Sequence, residues 1–327
     1  MARHDVSAHL LDPELGPMLE AVPRWRFSAE TLERIREEKR AQTLAIVTAQ
    51  DLLERTEVRT CLAPGPAGAP DVRVLVYRPK GARGALPCIL HIHGGGFVIG
   101  TADDGAPRHR ALVLQADCVL VTVDYRLAPE TPFPGAIDDC LAALRWLFAH
   151  ATALGVDPQR IGLKGESAGG GLAAALALRA RDEGGLAIAF QHLIYPMLDD
   201  RTCVAGDPQR FAGEYIWTPR DNAFGWSALL GVPPGSDGVS PYAAPARARE
   251  LAGLPPAFIA TGALDLFVEE DMEYARRLLR AGVPTELHVY PGGVHGFDVL
   301  ADVRLSRALR RDSLAALRLA LHPGGGD

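Results

Sequence analysis

From residue 72 to residue 291 the chain repeats one pattern, a short apolar run followed by a longer stretch with helical spacing. The runs are VRVLVYRP (72–79), PCILHIH (87–93), DCVLVTVDY (117–125), RIGLKGE (160–166), AFQHLIYP (189–196), AFIATG (257–262) and ELHVYP (286–291). Helical spacing falls at 106–116, 135–153, 168–182, 269–281 and 301–321. In IDDCLAALRWLFAHA, Ile137, Leu141, Leu144 and Phe148 recur every three or four residues, which puts them on one helical face. Gly282 and Pro284 supply the stop signal for the 269–281 helix. Several runs are apolar almost throughout, as strands covered on both faces are. VRVLVYRP alternates instead, and predicts a more exposed, antiparallel strand. Strand and helix in alternation predict an α/β fold with a mostly parallel central sheet flanked by helices.

Two regions break the alternation. Residues 1–50 predict a helix after Ser28, with Ser28 as N-cap and Glu30 in the first turn. Residues 198–236 hold Phe211, Tyr215, Trp217, Phe224 and Trp226, five aromatics in sixteen positions of a chain that is 6% aromatic. Such a cluster is either a small local core or the aromatic wall of a pocket.

Composition removes several function classes. The 327 residues carry 34 basic against 40 acidic side chains, a net charge of −6, and the lysines are three, Lys39, Lys80 and Lys164. Phosphate neutralisation needs clustered cations, so a nucleic-acid partner is not expected. Five scattered cysteines (Cys61, Cys88, Cys118, Cys140, Cys203) form no CxxC pair, which argues against a zinc site or a disulfide framework. The first residues, MARHDVSAHLLDPELGP, lack the apolar core of a signal peptide, and no uncharged run nears the roughly 18 residues of a membrane span. A reducing, cytoplasmic setting is expected.

The chemistry begins at GESAGGG, where RIGLKGE runs into a helical segment. Gly165, Ser167 and Gly169 fit G-x-S-x-G, a strand-to-helix turn that pushes a serine hydroxyl out of the surface. Such a serine needs a base, and the base needs an acid to fix its tautomer. In hydrolases of this arrangement the chain order is Ser, Asp or Glu, then His. Of the later histidines, His192 and His288 fall inside expected strands and His322 lies in the tail, which leaves His295 in the loop YPGGVHGF. Asp265 follows the strand AFIATG and is the expected acid. Glu269, Glu270 and Asp271 read as helix-start residues favoured by the helix dipole.

The glycines of HGGGF (93–97) then acquire a purpose. Attack on an ester makes an oxyanion, and each preorganised donor contributes about 2.7–4 kcal/mol to its stabilisation. Gly95, Gly96 and the N–H of Ala168 are the expected donors, with Gly94 and His93 shaping the loop. A side chain added at Gly95 or Gly96 is expected to reduce turnover far more than stability. The glycine spacing is one residue too long for a dinucleotide fingerprint, and no Gly-Lys-Ser/Thr phosphate loop exists. His91-x-His93 has no third ligand nearby, so no metal is expected, and no cofactor.

With these residues placed, the chain resembles the bacterial hormone-sensitive-lipase-like family of α/β-hydrolase esterases. The matching elements are HGGGF (93–97), YRLAPE (125–130), FPGAIDD (133–139), GESAG (165–169), Asp265 and HGF (295–297), with LDPEL (11–15) similar to the start of that family's N-terminal cap. The resemblance implies the α/β-hydrolase fold and hydrolysis of short- to medium-chain carboxylic esters through an acyl-serine, with Ser167 as nucleophile, His295 as base and Asp265 as its orienter. It also implies a helical cap made of residues 1–50 and the insertion 198–236, set on a core of 51–197 and 237–327. Phe97, Phe211, Tyr215, Trp217 and Phe224 are the expected pocket residues, and Arg126 and Glu130 are expected to brace the loop beneath. The expected partner is a small ester, and ELHVY, if it is an exposed edge strand, could pair two copies as a homodimer. Two departures stand out: Glu166 where many relatives carry Asp, and LFVEED after Asp265 instead of Pro-Leu and Asp-Glu. The competing functions are a catalytically silent small-molecule receptor on the same scaffold, and hydrolysis of an amide, lactone or carbamate.

Overall fold

Each apolar run forms a strand, and one further strand arises from a segment with no apolar run. Among the described residues the strands are β1 (Thr56–Ala63), β2 (Val72–Pro79), β3 (Leu86–Ile92), β4 (Val119–Val123), β5 (Val156–Glu166), β6 (Gln191–Ile194), β7 (Ala257–Gly262) and β8 (Thr285–Tyr290). They form one sheet in the order β1-β2-β4-β3-β5-β6-β7-β8. β2 is antiparallel to β1 and β4, and the other neighbouring pairs are parallel. The computed structural model describes residues 6–300 and 302–324, with Leu300 described by its backbone alone. Residues 1–5 of the N-terminal segment, Ala301 of the last expected helix and 325–327 of the tail lie outside the described residues.

The unexpected β1 corrects the reading of VRVLVYRP. TEVRTCLA is an edge strand with much of its length open to water, so it carries polar side chains and no apolar signature. β1 removes β2 from the sheet edge, and Val74, Leu75, Val76 and Tyr77, which the alternation suggests are partly exposed, are buried on the two faces of β2 under the helices. The alternation reports two different buried faces. Val74 and Val76 join Leu90 and Val121 on one side, while Leu75 and Tyr77 join Ile89 and Leu120 on the other.

The helices are α1 (Gly16–Ala21), α2 (Leu32–Leu44), α3 (Gln50–Arg55), α4 (Ala106–Gln115), α5 (Gly135–Leu154), α6 (Ala168–Glu183), α7 (Pro219–Leu230), α8 (Val268–Arg280), α9 (Phe297–Leu300) and α10 (Arg304–Leu321). Val113 of α4 and Leu317 of α10 cover one sheet face. Leu141 and Leu144 of α5, Leu172 and Leu176 of α6 and Leu278 of α8 cover the other. Each such side chain contributes roughly 1.5–3 kcal/mol by leaving water, so the two-faced sheet fixes the frame. Helix α2 begins later than expected. Thr31, not Ser28, is its N-cap, Glu33 is the first-turn acid, and Ser28 instead donates its N–H to Thr31 Oγ1 at 3.0 Å.

The parallel register sets the site. Ile92 lies beside Gly165, Gly165 beside Leu193, Leu193 beside Ile259, and Gly262 beside Tyr290. The loops leaving β3, β5, β7 and β8 therefore emerge together at the carboxyl ends of the strands, where open α/β sheets bind ligands.

Candidate active site

Ser167 stands between β5 and α6 with φ 56° and ψ −125°, a backbone conformation that L-residues avoid. Its neighbours hold it there by close approach. A Cβ at Gly165 would lie 2.1 Å from Gly169 O, and one at Gly169 would lie 2.1 Å from Ile92 O. The Ser167 N–H donates to Ile194 O at the end of β6 at 2.9 Å, and the Ser167 carbonyl accepts from Met197 N–H at 3.0 Å.

His295 sits in the turn after β8. Its Nε2 lies 2.9 Å from Ser167 Oγ, and its Nδ1 lies 2.8 Å from Asp265 Oδ2. Asp265 is fully buried, and its Oδ1 accepts the Phe267 N–H at 3.0 Å. Two side chains that the sequence did not mark fix the imidazole. Tyr195 meets it edge-on with ring centroids 4.8 Å apart, and Phe267 does so at 5.2 Å. Tyr195 is itself tethered, because its hydroxyl donates to Asp298 Oδ1 at 2.6 Å. Phe267 follows Asp265 by two residues, which is the one signal that could have pointed to it.

The glycine loop is shaped as a turn with left-handed residues, Gly95 at φ 121°, Gly96 at φ 59° and Phe97 at φ 68°. Gly95 O accepts from Val98 N at 3.1 Å and Ile99 N at 3.0 Å. Among the described residues the N–H groups of Gly95 and Gly96 have no intramolecular acceptor, and Ala168 opens α6, where first-turn N–H groups are free. His93 orders the loop as expected: its Nδ1 donates to Gly94 O at 2.8 Å and its ring stacks on Tyr125 at 4.2 Å. Burial lowers its pKa and keeps the imidazole neutral. His91 binds inward, to Thr122 Oγ1 at 3.0 Å and Glu166 Oε2 at 2.7 Å. Burial disfavours the Glu166 anion, but His91 and Lys164 outweigh it and hold the carboxyl well below its usual value.

The structure changes one expectation about these glycines. A Cβ at Gly95 would lie 2.0 Å from Ile99 O, and one at Gly96 would lie 2.2 Å from the Trp217 ring. A side chain at Gly95 meets backbone at a φ that disfavours it, so its cost falls on folding as well as on turnover. Gly96 meets a side chain, which can be changed.

Of the five expected pocket residues, Trp217 is the one brought against the loop. Its ring covers Gly96, lies 6.4 Å from the His295 ring, and donates Nε1–H to Asn222 Oδ1 at 3.1 Å. Phe224 is one ring further out, stacked on Phe27 at 6.4 Å, and Phe27 in turn meets Trp217 at 5.4 Å. Phe211 and Tyr215 pack with the cluster that contains Tyr195. Phe97 is placed differently from the expectation: its ring is 1% exposed and packs on Trp226 in the core. Arg126 and Glu130, expected to brace the loop beneath, are each held by an ion pair. Arg126 forks onto Asp139, and Glu130 receives Arg36 of α2.

Chemically, the array can move a proton from Ser167 Oγ to His295 Nε2 while Asp265 holds the other ring nitrogen, beside free N–H groups that suit a developing negative oxygen. A profile of the family described as alpha/beta hydrolase fold matches residues 89–299. Carboxylesterase NlhH of Mycobacterium tuberculosis is 38% identical over 322 residues, spanning 95% of this chain and 97% of that protein. Esterase LipI of the same organism is 37% identical, spanning 95% and 96%. A solved bacterial heroin esterase superposes with a TM-score of 0.89 at 40% identity, covering 96% of this chain and 99% of its own. The chain belongs to the α/β-hydrolase fold family, in its hormone-sensitive-lipase-like esterase branch.

Proposed function

We propose that the chain is a serine carboxylesterase that cleaves short- to medium-chain acyl esters through an acyl-serine intermediate. The observation that carries this reading is the continuous array Ser167–His295–Asp265, with contacts of 2.9 and 2.8 Å. With Nδ1–H directed at Asp265, His295 Nε2 offers its lone pair to the serine proton. Oγ attacks the ester carbonyl, and the oxyanion meets the N–H groups of Gly95, Gly96 and Ala168. His295 then returns the proton to the leaving alcohol. Water, deprotonated by the same nitrogen, releases the acid and restores Ser167.

In this reading the described residues of segment 1–50 and residues 198–236 form the cap, over a core of 51–197 and the described residues of 237–327. Trp217 is the pocket wall, and its ring against Gly96 favours small acyl groups. Among the described residues no helix is long and apolar enough to cross a membrane. The five thiols stand free, which supports a cytoplasmic setting. β8 is a sheet edge bearing exposed Leu287 and Val289, a surface through which two copies could pair.

The test is a panel of 4-nitrophenyl esters from acetate to dodecanoate. Wild-type protein should turn over the short members best, and Ser167→Ala should lose about 10⁴-fold or more of kcat/KM. Wild-type turnover by Ser167→Ala would overturn the assignment.

A further inference from the structure

Arg36 lies on α2, outside every motif, yet its guanidinium reaches behind the glycine loop. Nε donates to Val98 O at 2.9 Å, and Nη2 donates to Ala128 O at 2.9 Å. Nη1 and Nη2 also bind the Glu130 carboxylate at 2.7 and 2.9 Å. The Arg36 side chain is 17% exposed, its bonds to Val98 O and Ala128 O are part-buried, and those to Glu130 lie at the surface.

The Val98 carbonyl matters because of what the same peptide plane does at its other end. A trans peptide points its C=O and its N–H in opposite directions, so fixing one aims the other. Val98 O shares a plane with Ile99 N–H, which donates to Gly95 O at 3.0 Å. Gly95 O shares a plane with Gly96 N–H. A second branch reaches the same point. Ala128 N–H donates to Phe97 O at 3.0 Å, Phe97 O shares a plane with Val98 N–H, and Val98 N–H donates to Gly95 O at 3.1 Å. Both branches end on the peptide that carries Gly96 N–H; Arg36 grips the first through the Val98 carbonyl, whereas the Ala128 carbonyl it also holds lies on the peptide to Pro129 and shares no plane with the Ala128 N–H. Chains of aligned hydrogen bonds polarise one another, and a cation at the far end adds to that polarisation.

We propose that Arg36 is a positioning residue for the Gly96 donor: it couples the docking of cap helix α2 to the aim of the oxyanion hole. The inference rests on the carboxylesterase reading. A tie that merely fastens the helix would act on stability alone. A tie that aims Gly96 acts on the transition state.

The experiment compares Arg36→Met, Arg36→Lys and Arg34→Met with wild type. The readouts are kcat and KM for 4-nitrophenyl acetate, affinity for an aryl trifluoromethyl ketone whose serine adduct places an oxyanion in the hole, and the thermal midpoint. Losing a whole oxyanion donor costs about 10²–10³ in kcat, so a misaimed one should cost about tenfold or more. Arg36→Met should lose that much kcat with KM within about threefold, and ketone affinity should fall in proportion to kcat/KM. Arg36→Lys keeps the charge but not the fork, and should lose an intermediate amount while folding normally. Arg34→Met, on the same helix but paired with half-exposed Glu38, should match wild type. The proposal is overturned if folded Arg36→Met or Arg36→Lys keeps kcat and ketone affinity within about twofold, whatever happens to the midpoint. Inert wild-type protein would instead overturn the esterase reading.

Discussion

The floor and the roof of this site are built by different rules. The floor consists of Ser167, His295, Asp265 and the glycine loop, each at the carboxyl end of a strand and each dictated by local backbone geometry. Ser167 at φ 56° and Gly96 at φ 59° hold left-handed backbone conformations within their own turns. The roof consists of Phe27, Arg36, Asp221 and Trp217, drawn from two distant segments. Phe27 N–H donates to Asp221 Oδ1 across 194 residues at 3.1 Å, and Arg36 reaches Val98 across 62. The reacting groups are thus set mainly by short-range constraints and their cover by long-range ones, and Arg36 is where the cover reaches the glycine loop.

That comparison can be broken at the one glycine where floor and roof touch. Gly96→Ala should lower kcat about 10²-fold, because a Cβ there collides with Trp217 and demands a left-handed alanine. Adding Trp217→Leu should restore about tenfold of this if the roof causes the loss. No recovery in steady-state kinetics would assign the whole loss to the floor. Trp217→Leu by itself should raise the octanoate-to-acetate ratio of kcat/KM about tenfold, consistent with a few methylenes of new space. An unchanged chain-length profile would remove Trp217 from the pocket.

The smallest expected effect lies beneath the floor. Asp271 of α8 is fully buried, and burial, with Glu270 and Asp265 nearby, raises its pKa well above the usual value. A raised acid binds its proton more tightly when folded. The stability it confers is present below the unfolded carboxyl pKa and is lost as pH rises through the folded value. Asp271→Asn should therefore flatten the fall in stability toward alkaline pH and gain about 1 kcal/mol at pH 8, with kcat within about twofold. Urea melts at pH 5 and pH 8 check the sign, and an equal effect at both would refute it.

The floor was legible because its constraints are short-ranged. GESAG, HGGGF and the two loop residues Asp265 and His295 each follow a recognisable strand. What was not legible depended on partners. β1 has no apolar run because water covers much of it, and the burial of β2 on both faces depends on helices that its own residues do not announce. Thr31 displaces Ser28 as the cap of α2, since the two sit three residues apart and Ser28 serves Thr31 instead. Phe97 turns inward to Trp226, a contact that no spacing rule announces. Arg36 and Tyr195 carry no signal, as each acts through residues remote in the chain.

The roof also has a consequence for how the chain is made. The segment that reaches over the site is synthesised well before its partners. Ser7 N–H donates to Glu214 at 2.8 Å over a separation of 207 residues, and Phe27 waits 194 residues for Asp221. Until then Phe27, buried in the finished protein, lacks the Trp217 and Phe224 rings that it meets there. On the ribosome, at about 5–20 residues per second, that is an interval of roughly ten seconds or more in which apolar surface is exposed. The earlier-made part of the roof is thus among the last to find its place, and in the meantime it is surface that a chaperone can hold.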